Sequence, residues 1–198
     1  MPEPLIILDL DDTLVDRRRL KTDIFRVVEQ MGIPAARAKQ VYNKMRLKQA
    51  FAPRLFAELL FPREQARSKA LIKTWDGVLS KPNIYNFAGA NKFVKTLADR
   101  YNLALLSYGP RSWQLAKLKQ TGLAKFFSRI YITPDRTKRR ALALLSRQTQ
   151  GTIILIDDDP FYAKDIRNSG LQVVTIKTGP KDWNYYQTII KQIEQSLD

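Results

Sequence analysis

Leu5-Ile6-Ile7-Leu8-Asp9-Leu10-Asp11-Asp12-Thr13-Leu14 decides how the rest of the chain is read. Four consecutive large aliphatics have the character of a strand buried on both faces, as a parallel sheet requires. The run ends abruptly in carboxylates, which therefore lie just past the carboxyl end of a central strand, the edge where open α/β sheets bind ligands. Side chains alternate along a strand, so Asp9 and Asp11 project to one side and Leu10 to the other. Two carboxylates that close repel each other unless a cation lies between them or one holds a proton. The pattern calls for a metal, an acid/base pair, or both; a turn with solvated aspartates is the alternative.

Composition narrows the chemistry. The 198 residues suffice for one moderate α/β domain, or a core with a small insert. No run approaches the roughly 18 to 20 apolar residues of a membrane span. The strand begins with no basic region before it, so a cleavable leader is not expected. With no cysteine, disulfides, thiolate catalysis and cysteine-held metals are excluded, and a cytoplasmic setting is expected. With no histidine, acid/base work falls to carboxylates, Lys or Tyr. The net charge of +15 is uneven: −5 over residues 1–16, +11 over 17–81 and +9 over 82–198. Such a field favours anionic ligands.

Between about Leu20 and Leu79 the periodicity is helical, with Ile24, Val27, Val28 and Met31 on one face and Gly32-Ile33-Pro34 as a stop and restart. A second helix starts near Ala35, Pro53 and Pro62 punctuate the residues after it, and a further helix runs from Pro62 to about Leu79. These residues form a small helical insert, and Lys81-Pro82-Asn83 marks the return from it. After a helix over Ala90 to Asp99, strands and helices alternate. Strands are expected at 103–106, 129–132, 152–156 and 171–176, with helices over 113–121, 137–148 and 163–169 between them. That order implies a parallel sheet. A packing helix from Trp183 to Leu197 closes the chain.

Three strands end in polar groups: the first at Asp9 and Asp11, the second at Ser107, the fourth at Asp157 and Asp158. In a parallel sheet these ends converge on one edge. In this order the chain resembles the haloacid dehalogenase-like (HAD) phosphatase superfamily over nearly its whole length. The resemblance implies a Rossmann-like α/β core of residues 1–16 and 82–198, with a helical cap of residues 17–81.

By the same resemblance, Asp9-Leu10-Asp11-Asp12-Thr13 is the nucleophile motif. Asp9 attacks phosphorus to form an aspartyl-phosphate, and Asp11 is the general acid/base. An Asp beside a reacting phosphate can hold a proton near neutral pH because negative neighbours raise its pKa. Ser107 resembles the second motif, its hydroxyl and the backbone N–H groups of Tyr108 and Gly109 holding phosphoryl oxygens. Lys138, beside Arg136, Arg139 and Arg140, resembles the lone lysine of the third. Ile154-Leu155-Ile156-Asp157-Asp158, followed by Asp165 and Gly170, has the layout of the fourth. Asp158 is then the ligand of Mg2+, with Asp157 its neighbour or the ligand itself. Asp9 and the Asp11 carbonyl complete an all-oxygen site that suits a hard cation.

The activity so implied is magnesium-dependent hydrolysis of a small phosphorylated metabolite or nucleotide. Some of Arg17, Arg18 and Arg19, where the chain leaves the core, are expected to contact substrate. The excess charge raises a second reading, a nucleic-acid binder or end-processing phosphatase, though no nucleic-acid motif accompanies it. A third is phosphoryl transfer to an acceptor other than water. No membrane partner is expected, and no motif sets an oligomeric state.

Overall fold

A computed structural model describes residues 3–159, 172–175 and 181–197. Five parallel strands form one sheet: β1 (Leu5–Leu8), β2 (Asn102–Tyr108), β3 (Arg129–Thr133), β4 (Ile153–Asp157) and β5 (Gln172–Thr175). Their order is β3-β2-β1-β4-β5, so the aliphatic run at the start of the chain is the central strand. In register, Ile7 pairs with Ala104 on one side and Leu155 on the other. The expected double-sided burial is present. Ile6 and Leu8 pack into one apolar cluster while Leu5 and Ile7 pack into a second. Each such side chain contributes roughly 1.5 to 3 kcal/mol when fully buried.

Eight α-helices lie among the described residues: α1 (Arg17–Gln30), α2 (Ala35–Arg46), α3 (Pro53–Leu60), α4 (Gln65–Leu79), α5 (Ala90–Ala98), α6 (Arg111–Thr121), α7 (Arg139–Gln148) and α8 (Trp183–Leu197). Leu142 and Leu145 of α7 cover one face of the sheet. On the other, Phe93 of α5 stacks on Tyr186 of α8, with ring centroids 4.4 Å apart. Helices α1 to α4 follow β1 with no strand between them, in keeping with the helical periodicity. They pack around Phe25, Tyr42, Phe56 and Trp75, and the Trp75 indole donates to the Ile24 carbonyl at 3.3 Å.

Several boundaries differ from expectation for local reasons. Helix α1 starts at Arg17 rather than near Leu20 because the Asp16 carboxylate accepts from the Arg19 N–H at 3.0 Å. Such a cap stabilises a helix by about 1 kcal/mol. Helix α3 was not expected; its proline stands at the helix start, where a missing N–H costs nothing. Strand β2 runs on through Ser107 and Tyr108. Helix α7 starts two residues late because Lys138 has a left-handed backbone, φ 54°. The helix expected over 163–169, with Asp165 and Gly170, lies outside the described residues.

Candidate active site

The carboxyl ends of β1, β2 and β4 meet, and the loop before α7 reaches across to them. Asp9 follows β1 directly and is held there by its N–H, which donates to the Ile156 carbonyl of β4 at 3.0 Å. Asp157 is the last residue of β4 and Asp158 the next. The ammonium of Lys138 lies between two of these carboxylates, 2.7 Å from Asp9 Oδ1 and 2.7 Å from Asp157 Oδ2. Its side chain is only 2% exposed. A left-handed backbone costs a non-glycine residue roughly 1 to 2 kcal/mol. Here it accompanies the placing of the lysine against two carboxylates of the site.

Charge is not balanced in that floor. Two buried carboxylates share one ammonium, and Asp158 lies beside them. Burial raises the Asp9 pKa; Lys138 opposes this, while the charges of Asp157 and Asp11 add to it. Burial would lower the Lys138 pKa, but Asp9 and Asp157 outweigh it and raise it. Asp158 is pushed up to about 7 by burial and by the charges of Asp157 and Asp12. Asp9, Asp157 and Asp158 each present one oxygen, and the three atoms lie within 4.8 Å of one another. Both Asp157 oxygens are engaged, one by Lys138 and one by the Asp159 N–H at 3.0 Å. Among the described residues no group donates to the Asp158 carboxylate, and no backbone hydrogen bond ends on the Asp11 carbonyl. The surplus of negative charge and the hard oxygen donors fit a divalent cation such as Mg2+.

Asp11 has a different environment from Asp9. It receives two hydrogen bonds from the ammonium of Lys117 and one at 3.1 Å from the Gln114 amide. Burial alone would raise its pKa, but Lys117 and the hydrogen bonds from Lys117 and Gln114 outweigh that and lower it. Among the described groups, then, a cation and a neutral amide hold the Asp11 pKa down, and the negative neighbour that would raise it is a phosphate brought by the substrate. Gln114 and Lys117 were not anticipated. Their signal was two polar residues three apart at the start of the helix after β2, on the face that also carries Trp113 and Leu118 into the protein.

The other expected residues divide. The Ser107 hydroxyl is buried and has no hydrogen-bond partner among the described residues. An orphaned buried hydroxyl is costly and suits a polar ligand. Tyr108 lines the same cavity, its carbonyl accepting from Gln114 at 2.5 Å. The Gly109 N–H instead donates to the Thr133 carbonyl at 3.0 Å, so the expectation that it faces a ligand is corrected. Gly109 serves close approach: with φ 143°, an added Cβ would lie 2.7 Å from the Gln114 amide nitrogen. Arg17 pairs with Asp12 at 2.5 Å and lines the cavity, whereas Arg18 and Arg19 do not line it. From the far end of the chain, Lys181 donates to the Asp12 carbonyl at 2.5 Å and Tyr186 to that of Thr13 at 2.7 Å. Together they pin the loop after β1.

Residues 6–176 match the model of the haloacid dehalogenase-like hydrolases. The chain belongs to that family. Solved HAD-type structures share its fold. One is a candidate haloacid dehalogenase-like hydrolase from Burkholderia xenovorans, at 20% identity over 94% of this chain and 86% of that one, with a TM-score of 0.72. Another is a candidate β-phosphoglucomutase from Thermotoga maritima, at 14% identity over 96% and 99%, with a TM-score of 0.68. A third, a candidate HAD hydrolase from Bacillus subtilis solved with magnesium bound, is 17% identical over 91% and 90%, with a TM-score of 0.62. At these identities the likeness is one of fold. No curated protein matches the sequence significantly. No described helix of this HAD-family chain is long and apolar enough to cross a membrane.

Proposed function

We propose that the protein is a magnesium-dependent phosphomonoester hydrolase that works through an aspartyl-phosphate on Asp9. The observation that carries this reading is the Lys138 ammonium seated between Asp9 and Asp157, with Asp11 and a Ser107 hydroxyl that has no partner among the described residues lining the same cavity. Lys138 offsets the charge of the nucleophile as an anionic phosphate approaches, then that of the phosphoryl oxygens. An Asp9 oxygen forms a bond to phosphorus while the bond to the leaving oxygen breaks, and Asp11 delivers a proton to that oxygen. In the second half Asp11 removes a proton from water, which attacks the same phosphorus and releases Asp9. Ser107 donates to a phosphoryl oxygen throughout.

Asp9, Asp158 and the Asp11 carbonyl would hold Mg2+, with Asp157 oriented beside them by Lys138. When bound, the ion supplies charge neutralisation and alignment of the phosphoryl group. Helices α1 to α4, within residues 17–81, act as a cap over the core of residues 1–16 and 82–198, covering the cavity and excluding water from it.

The test is hydrolysis of 4-nitrophenyl phosphate with and without magnesium. Wild-type activity is expected to require the ion, and Asp9→Asn to lose at least about a thousandfold in kcat while its circular dichroism is unchanged. Full activity in that variant would overturn the nucleophile assignment.

A further inference from the structure

The cavity above the carboxylates has a volume of about 370 Å3, more than a phosphoryl group alone requires, and its other walls are chemically distinct. Phe25 of α1, Tyr42 of α2, Phe51 and Trp113 of α6 line it as a connected aromatic surface. Tyr42 lies 5.6 Å from Phe25 and 5.7 Å from Phe51, and Phe51 lies 5.6 Å from Trp113. Phe25, Tyr42 and Phe51 keep part of their surface open.

Two cations stand on the same wall. The Lys21 ammonium lies 4.1 Å from the centre of the Tyr42 ring, and Arg46 is one helical turn beyond Tyr42 on α2. Both line the cavity, and among the described residues no carboxylate pairs with either. Partial burial lowers the Lys21 pKa, and the charges of Arg17, Lys39 and Arg46 lower it further. Positive groups gathered at a half-buried site with no acid between them repel one another, and an anion relieves that repulsion. The carboxylates and the uncompensated cations thus occupy different walls, with aromatic surface adjoining the cations.

We propose that the substrate is a phosphomonoester of a planar aromatic ring that carries a second anionic group, the ring against Phe25, Tyr42, Phe51 and Trp113 and the second anion on Lys21 and Arg46. This deepens the phosphatase reading and rests on it for the position of the phosphate. The second anion, a carboxylate or another phosphate, takes charge-assisted hydrogen bonds from both cations. The ring replaces water against the aromatic wall, with edge-to-face or offset contacts. A phosphoryl group with an uncharged or an aliphatic remainder leaves one of the two walls unmet.

Binding is measured separately from turnover. Isothermal titration of the Asp9→Asn protein with magnesium present compares 4-carboxyphenyl phosphate, phenyl phosphate and 4-carboxybutyl phosphate. The carboxylated aryl ligand is expected to bind about tenfold more tightly than either of the others. The ratio of its affinity to that of phenyl phosphate is expected to fall to near one when Lys21→Ala and Arg46→Ala are combined. Equal binding of the two aryl ligands, a ratio untouched by the double substitution, or equal binding of the alkyl ligand overturns the proposal, as does binding of none of the three. The tenfold preference together with no hydrolysis by the wild type supports this substrate class while overturning the phosphatase reading.

Discussion

Asp9 and Asp11 are two residues apart, yet their surroundings drive them in opposite directions. Burial and the charges of Asp157 and Asp11 raise the Asp9 pKa against the pull of Lys138; Asp11 is lowered, because Lys117 and Gln114 outweigh its burial. Without substrate these directions oppose the proposed roles, since a nucleophile needs Asp9 ionised and a proton donor needs Asp11 protonated; a bound cation would lower the first and an approaching phosphate dianion raise the second. For Lys117→Met, the sign comes from the lost cation. Asp11 is released from its ion pair, its pKa rises, and the alkaline limb of the kcat/KM profile, where the proton donor to the leaving oxygen is lost, is expected to move to higher pH. An unmoved limb would show that Asp11 does not set it. Stability changes consistently: a carboxyl held low stabilises the native state above its unfolded pKa, and loses that contribution as pH falls through the folded one. The variant lacks it.

Asp158 gives the opposite case. Its pKa near 7 lies above the ordinary carboxylate range, so without metal the native state gains stability from it as pH falls below 7 and loses it above. Metal ligation requires the carboxylate, so Mg2+ competes with that proton. The rise in melting temperature on adding magnesium is therefore expected to be larger at pH 8 than at pH 6. Equal rises would remove Asp158 from the ligand set.

At the level of elements, the site depends on α8 as much as on the strands. Tyr186 of this helix reaches the carbonyl of Thr13, while its ring stacks on Phe93 of α5. The helices approach so closely that a Cβ on Gly89, just before α5, would lie 2.6 Å from the Asp182 carbonyl carbon and 2.6 Å from Tyr186 Cδ2. Backbone on one side and a buried ring on the other leave little room to yield. Gly89→Ala is expected to destabilise the protein by about 1 to 3 kcal/mol, read as a lower urea midpoint with an unchanged slope. A shift below about 0.5 kcal/mol would mean that α8 moves aside at little cost.

Over the whole molecule the positive charge surrounds an acidic centre. Residues 1–16 carry −5 and every other segment is positive, and that field draws anions toward the sheet edge. Charges a Debye length apart are screened as salt rises. For an anionic aryl phosphate, kcat/KM is expected to fall several-fold between about 20 and 200 mM salt, with kcat nearly constant. A flat profile would mean that the excess charge plays no part in capture. A basic surface of this size also invites nucleic acid, but the feature that points to a ligand is a concave cavity with carboxylates at its floor, not a groove tracking a backbone.

The sequence by itself determined the central strand, because four aliphatics in a row can be satisfied only by burial on both faces, and it placed the acidic residues at that strand's end. Chain order and alternation then brought Ser107, Asp157 and Asp158 to the same edge, since parallel strands share one. Local chemistry left α3 and the late start of α7 undetected: a proline reads as punctuation until it is seen as a first helical residue, and nothing in Arg136-Thr137-Lys138 announces a left-handed lysine. Only the tertiary structure decided that Lys138 lies between Asp9 and Asp157, residues 129 and 19 positions away. It alone gave Asp11 its partner in Lys117, 106 residues on, and turned the Gly109 N–H back into the sheet. The physical reason is common to these cases. Burial and strand polarity arise from patterns a few residues long, whereas the charge state of a carboxylate depends on which distant ammonium the folded chain places within about 3 Å of it.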